Sequence, residues 1–235
     1  MPSKHSHSGG RLAAGLAGVL FITGLVTGIL SVVPVIDGPD YLTLASANEN
    51  QVQLGAIFQL VMVVAYVGIP IAMYPIFSKH NKGLALGSVA FGIISGVFLI
   101  LGVLLLLLLL TVSHEFAKVG ALSGSTIQTV GELLRTGRDL VNHVATTLSF
   151  VVALFILNGL LYQTKWVPRW LSASGLIGSA LSILASLLFM IRFIGLDAIY
   201  MMLNLPIALQ QFILAIWLIL IAFNREKPDS ESILR

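Results

Sequence analysis

Asp139 and His143 stand four residues apart, so on a helix a carboxylate and an imidazole share one face. In that arrangement the acid can orient the ring, and the ring can serve as a base or proton carrier. Glu132 and Arg135 continue the series at spacings of three and four, so the same residues also make an ion-pair ladder, Glu132–Arg135–Asp139–His143. The ladder is the preferred reading, because no nucleophile, second acid or metal ligand accompanies the pair at a known spacing.

The other polar side chains that interrupt the apolar runs are Gln59, Asn142, Asn158, Gln210 and Gln211, with Arg192 near the end of a run. Each is costly inside a bilayer unless it is paired or wet. Gln59, His143, Gln210 and Gln211 fall toward the same side of their runs, with Arg192 close by, and together they could hold a small ligand. Hydrogen bonds between helices, each contributing roughly 0.6 to 2 kcal/mol, are the plainer use for them and the preferred one.

Other chemistries find little support. His5 and His7 lie in a Ser/Gly-rich tail, and His80 sits between Lys79 and Lys82. His114-Glu115 lacks a second histidine at the zinc-protease spacing. No metal site and no cofactor is expected. There is no phosphate-binding glycine loop before Lys-Ser or Lys-Thr, no pair of aspartates within the apolar runs, and no cysteine.

What must position these residues is a set of six apolar runs: Leu12–Val33, Val52–Phe77, Leu84–Val112, Leu140–Tyr162, Trp170–Phe193 and Leu205–Phe223. About 20 apolar residues suffice for a helix to cross ~30 Å of hydrocarbon. Hydrophobic residues make up 57% of the 235 positions and charged ones 10%. A soluble domain carries about 25% charge, so the fold class is all-α: a polytopic bundle of six transmembrane helices. The expected division is a short disordered cytoplasmic tail over 1–10, a six-helix membrane domain over 11–224 and a second cytoplasmic tail over 225–235. The sequence pI is about 9.3, yet the basic residues are dispersed at helix ends, and no basic stripe interleaved with aromatics points to a nucleic-acid partner.

The basic residues crowd into alternate gaps. Lys4, Arg11, Lys79, Lys82, Lys165, Arg169, Arg225, Lys227 and Arg235 fall on one side, and Lys118, Arg135, Arg138 and Arg192 on the other. Lys and Arg resist translocation, so the rich side reads as cytoplasmic and both termini as inside, in the cytoplasmic membrane of a cell. Ala45-Ser46-Ala47 resembles a signal-peptidase site. The first run is too long for a typical signal peptide, however, and the triplet lies well past its end, so the first helix is read as retained.

Within this frame, Ile127, Val130, Leu133, Leu134 and Val141 recur at helical spacing and predict a short amphipathic outer helix between the third and fourth spans. Gly24 with Gly28, Gly83 with Gly87, and Gly92 with Gly96 mark close helix packing. Pro70 is expected to kink the second span. The run Leu104–Leu110 is expected to face lipid, since a uniform leucine surface specifies no partner.

Several segments carry a resemblance. Leu161-Tyr162, the run Trp166-Val167-Pro168-Arg169-Trp170-Leu171-Ser172-Ala173-Ser174-Gly175, Pro206-Ile207-Ala208, and Leu214-Ala215-Ile216-Trp217 resemble a bacterial membrane family filed as domain of unknown function 4386. Arg11-Leu12-Ala13-Ala14-Gly15 and the position of His143 fit as well. The resemblance implies a six-helix bacterial membrane protein with no assigned activity. The chain departs from it at Gln211, where an acidic residue is expected, and at Ile221, where a basic one is.

The functional reading that follows is a non-enzymatic binding, sensing or partner-subunit role, using an outer polar pocket or the outer loops. The expected partners are the lipid bilayer and a membrane protein or second copy of the chain. A transporter or channel for a small neutral or hydrophobic solute is the alternative, and a lipid-modifying enzyme relying on Asp139 and His143 comes third.

Overall fold

The computed structural model describes residues 4–119 and 125–223. The expected 225–235 tail, with Arg225, Lys227 and Arg235, lies outside the described residues, as do residues 120–124 of the long loop. Eight α-helices follow in order: α1 (Lys4–Leu30), α2 (Tyr41–Ala47), α3 (Glu49–Phe77), α4 (Lys82–Val119), α5 (Ser125–Leu140), α6 (Thr147–Thr164), α7 (Arg169–Met190) and α8 (Ala198–Phe223). A π-helical segment, Val141–Thr146, joins α5 directly to α6. Six stretches are long and apolar enough to cross a membrane, and they coincide with the six runs read from the sequence. The helix of α1 begins ahead of Arg11, within the segment read as a disordered tail.

The spanning helices form a closed ring in chain order. α1 packs on α3, α3 on α4, α4 on α6, α6 on α7, α7 on α8, and α8 returns to α1. Small residues set the close approaches. A methyl group on Gly18 would stand 2.7 Å from the Ala215 carbonyl oxygen, and one on Gly178 would stand 2.8 Å from the Ile207 backbone nitrogen. Gly24 and Gly28 lie against Ala65 and Met62 of α3, while Gly92 and Gly96 receive Pro70 and Val67. Gly83 has only Asn81 nearby, so the Gly83–Gly87 pair is not a helix contact of the expected kind. α3 continues unbroken through Pro70 and Pro75.

The ring is uneven in height. α4 has 38 residues, or roughly 57 Å at 1.5 Å per residue, whereas α7 has 22, or roughly 33 Å. α5, the π segment and α6 make one 40-residue stretch, Ser125–Thr164. It runs antiparallel to α4, as three contacts show: the Ser88 hydroxyl donates to Ala153 O at 3.0 Å, Ser95 donates to Thr146 O at 3.2 Å, and Gly137 faces Leu105. The expected amphipathic outer helix is therefore present as α5, and it leads into the fourth span rather than standing apart from it. α1, α7 and α8 make a low wall beside this tall one.

The short α2 caps the tall wall. Tyr41, Leu42 and Ala45 are buried with Leu106, Leu109 and Leu110 of α4 in one apolar cluster. The Ser113 hydroxyl donates to the Leu42 carbonyl, and His114 meets Glu49 at 3.5 Å. The expectation that Leu104–Leu110 faces lipid thus needs correction: Leu104, Leu107 and Leu108 are exposed, but Leu106 and Leu109 are fully buried. A helix shows its sides every 100°, so a leucine run has a protein side wherever another element covers it, and here the covering elements are α2, the segment before it and α3. Ala45 of the Ala-Ser-Ala triplet is also fully buried there.

Candidate functional site

Polar residues gather inside the ring at its capped end. Aromatic packing sets the floor: Tyr66 of α3 stacks on Phe150 of α6 with ring centroids 3.6 Å apart, joining the two helices that flank α4. Beneath it, Phe21, Ile69, Met73, Phe77, Leu154, Leu157, Leu160 and Leu161 are buried in one continuous apolar core. Above the floor lies a cavity of roughly 780 Å³, lined from every spanning helix and from α5. The apolar core lies beneath it, and its charged residues are contributed by α5 and by Asp37.

The lining changes with height. Met62, Leu99, Phe150, Ile207 and Gln211 line the deepest level; Gln59, Asn142, Thr146, Ser182 and Asn204 come next; Asp37, Arg135, Arg138 and Asp139 stand at the mouth. Ser182 donates its hydroxyl to Asn204 Oδ1 at 2.5 Å, linking α7 to α8. Arg138 Nη1 donates to Asp139 Oδ1 at 3.1 Å. Arg135 donates to Glu132 at 3.2 Å and to the Gly38 carbonyl at 3.1 Å, and its guanidinium lies 4.7 Å from the centre of the Tyr41 ring.

Four buried polar atoms of this lining have no hydrogen-bond partner within the protein: Gln59 Oε1, Asn142 Oδ1, Thr146 Oγ1 and Arg138 Nε. An unpaired buried polar group costs about 1–3 kcal/mol, so four around one space are a reason to look for what satisfies them. Asn142 is wedged against α4 at Gly102, where any larger residue would collide with its amide. The π segment contributes to the placement. It inserts extra length between α5 and α6, so Arg138 and Asp139 turn toward the cavity above Asn142, His143 and Thr146. π segments of this kind occur frequently at functional sites.

The residues singled out in the sequence divide into three groups. Gln59, His143 and Gln211 line the cavity together with Arg135 and Asp139. Gln210 does not: its Nε2 donates to Asn158 Oδ1 at 2.9 Å and to Leu171 O at 3.3 Å, tying α8 to α6 and α7. Arg192 is also absent from the lining. It is exposed beyond the end of α7 with φ 59°, its backbone N–H donating to Phe189 O.

The ladder is divided too. The Glu132–Arg135 rung forms, but Asp139 pairs with its neighbour Arg138. His143 Nδ1 instead meets the Tyr200 hydroxyl at 3.3 Å, and its ring makes edge contacts with Phe189 and Tyr200. The π segment begins between the two residues and breaks the four-residue register that would have brought acid and imidazole together. Sequence reasoning did not single out Thr146, Ser182, Asn204 or Arg138. The first three are small polar residues that any membrane helix carries, and Arg138 read as one more outer charge; the one available signal was its position directly after Gly137 in an otherwise polar stretch.

No curated protein and no solved structure matches this chain. The family described as Domain of unknown function (DUF4386) matches over residues 16–222, which takes in the segments from Leu161 to Trp217 that resemble it and leaves Arg11–Gly15 just outside. With nearly its whole length matched, this membrane protein of six spanning helices belongs to that family.

Proposed function

We propose that the protein binds a small molecule in the cavity of its ring and acts without chemistry of its own, as a sensor, regulator or partner subunit in the cell membrane. The observation that carries this reading is the coexistence of a polar cavity with a sealed floor. Gln59, Asn142, Thr146, Ser182 and Asn204 line the space above Tyr66 and Phe150, while the core beneath is continuous and apolar. A conducting path would have to pass Asn158, which is fully buried and bonded to Leu154 O and Gln210. An acid–base mechanism would need Asp139 at His143, and each of these has another partner.

The proposed orientation puts the capped end outside. The chain order supports it: Asp37, Asp40, Glu49, Glu115, Glu132 and Asp197 belong to the capped end, whereas Lys79, Lys82, Lys165 and Arg169 lie in the turns at the other end.

The absence of native cysteine makes one experiment test both points. Thr146→Cys is expected to react with a membrane-impermeant thiol reagent added from outside, and Gly38→Cys likewise. Asn81→Cys should react only from the cytoplasmic side, and Leu157→Cys from neither. Labelling of Leu157→Cys from both faces would mean a through path and replace the binding reading with a channel or transporter.

A further inference from the structure

We propose that the cavity receives the head of an uncharged amphiphile from the surrounding lipid, a head bearing hydroxyl or amide N–H groups, while the tail trails over the low wall. The proposal rests on the reading of the cavity as a binding site and names the ligand class for it.

The charges of the lining cancel. Arg135 and Arg138 stand against Asp37 and Asp139, Arg138 is bonded to Asp139, and Arg135 is tied to Glu132 outside the lining. A ligand with net charge would find no counter-charge left for it, and a partly buried charge without one is costly.

The neutral polar side chains of the lining then select the head. The amides of Gln59, Asn204 and Gln211 and the hydroxyls of Thr146 and Ser182 each can donate and accept. A ligand that satisfies them must both donate and accept. A hydroxyl does both, and so does a primary or secondary amide. A carboxylate, an ionised phosphate diester or a quaternary ammonium offers no donor at all.

The rim explains the tail. Val32 and Met201 belong to the lining, yet they are 58% and 68% exposed, so they line the cavity and also face outward. Both sit on the low wall, Val32 just past the end of α1 and Met201 in the first turn of α8, where the ring is shortest. Opposite them, α4 and α5 rise higher and carry Arg135 and Arg138. An amphiphile in the adjoining leaflet can therefore move its head sideways over an apolar rim into a polar space and leave its chain on Val32, Met201 and Leu25.

The test uses the full chain in nanodiscs and native mass spectrometry with three probes: monooleoylglycerol, oleate and glycerol. Monooleoylglycerol is expected to form a one-to-one adduct at a concentration at least tenfold below the other two. The double variant Gln59→Leu/Thr146→Val should weaken that adduct at least tenfold. Gln53→Leu, the same change on the exposed side of α3, should leave it unaltered, and matched melting curves would show that all variants are folded. Oleate binding as well as monooleoylglycerol, or a double variant that binds normally, overturns the ligand class while leaving a binding cavity in place. Glycerol binding equally well overturns the lipid source. No adduct with any probe overturns the inference and, together with an unreactive Thr146→Cys, the cavity reading beneath it.

Discussion

The two halves of this ring handle buried polar groups in opposite ways. In the sealed half, Asn158 is clamped between Gln210 and the Leu154 carbonyl, and its amide fills the space over Gly175 so closely that no larger residue fits there. In the capped half, Gln59, Asn142 and Thr146 line a cavity, and each carries a buried polar atom without a hydrogen-bond partner in the protein. The same residue types are glue in one half and lining in the other.

That comparison breaks most readily at the helix contacts. A methyl group on Gly178 would lie 2.8 Å from Ile207 N and 2.9 Å from its Cα, and backbone cannot move aside cheaply. Gly178→Ala is expected to destabilise the protein by about 1–3 kcal/mol in reversible denaturation in mixed micelles, as overpacking does. In the cavity wall, Gly28 has only the Met62 sulfur at 3.5 Å, an ordinary contact. Gly28→Ala should be close to neutral under the same measurement. Equal losses at the two positions would mean that the capped half is packed as tightly as the sealed one.

A second pair of substitutions sharpens the contrast between glue and lining. Asn158→Leu removes the acceptor of the Gln210 amide and should cost about 0.6–1.7 kcal/mol, the range of interhelical hydrogen bonds in membranes. Gln59→Leu removes an acceptor that has no partner, so stability should stay the same or rise by up to roughly 1 kcal/mol. A clear loss at Gln59 would identify it as structural glue after all.

The π segment offers a way to alter the cavity without touching its lower lining. Deleting Val144 would turn everything N-terminal to it by about 100° relative to α6. Arg138 and Asp139 would leave the mouth while the spans remain. The expected outcome is at least a tenfold loss of monooleoylglycerol binding with the protein still folded, measured by native mass spectrometry and by helical circular dichroism.

Much of this arrangement is legible in the sequence because hydropathy and helix length are local properties. The six spans, the helix at Ser125–Leu140 and the packing role of Gly24, Gly28, Gly92 and Gly96 all follow from runs and spacings within one segment. So does part of the site: Gln59, His143 and Gln211, taken from three different spans, line a single cavity. Neighbouring Gln210 and Gln211 show the limit. They differ by 100° around one helix, so one is bonded to Asn158 and the other lines the cavity, and no spacing within α8 reveals which. The burial of Leu106 depends in part on α2, which is only seven residues long and lay within a stretch read as turns. The parting of Asp139 from His143 depends on one π segment, which no spacing in the sequence announces.

The smallest expected effect concerns the join between the cap and the cavity mouth. Tyr41 lies outside the spanning segments, with Arg135 over its ring and its hydroxyl donating to Gln128 O at 3.4 Å. Burial, helped by the nearby Glu132 carboxylate and opposed by Arg135, raises its pKa above the ordinary 10.0. The folded protein thus holds the phenolic proton more tightly than the unfolded chain does. The stabilisation this gives is fully present below pH 10.0 and is lost as the pH climbs through the raised value. Absorbance at 295 nm, taken as wild type minus Tyr41→Phe to remove the other tyrosines, should give a midpoint above 10.0. Cap opening, read by thiol labelling of Ser113→Cys, should follow the same midpoint. A midpoint at the ordinary value would mean that α2 does not shield the mouth, and the capped half would then be an open vestibule.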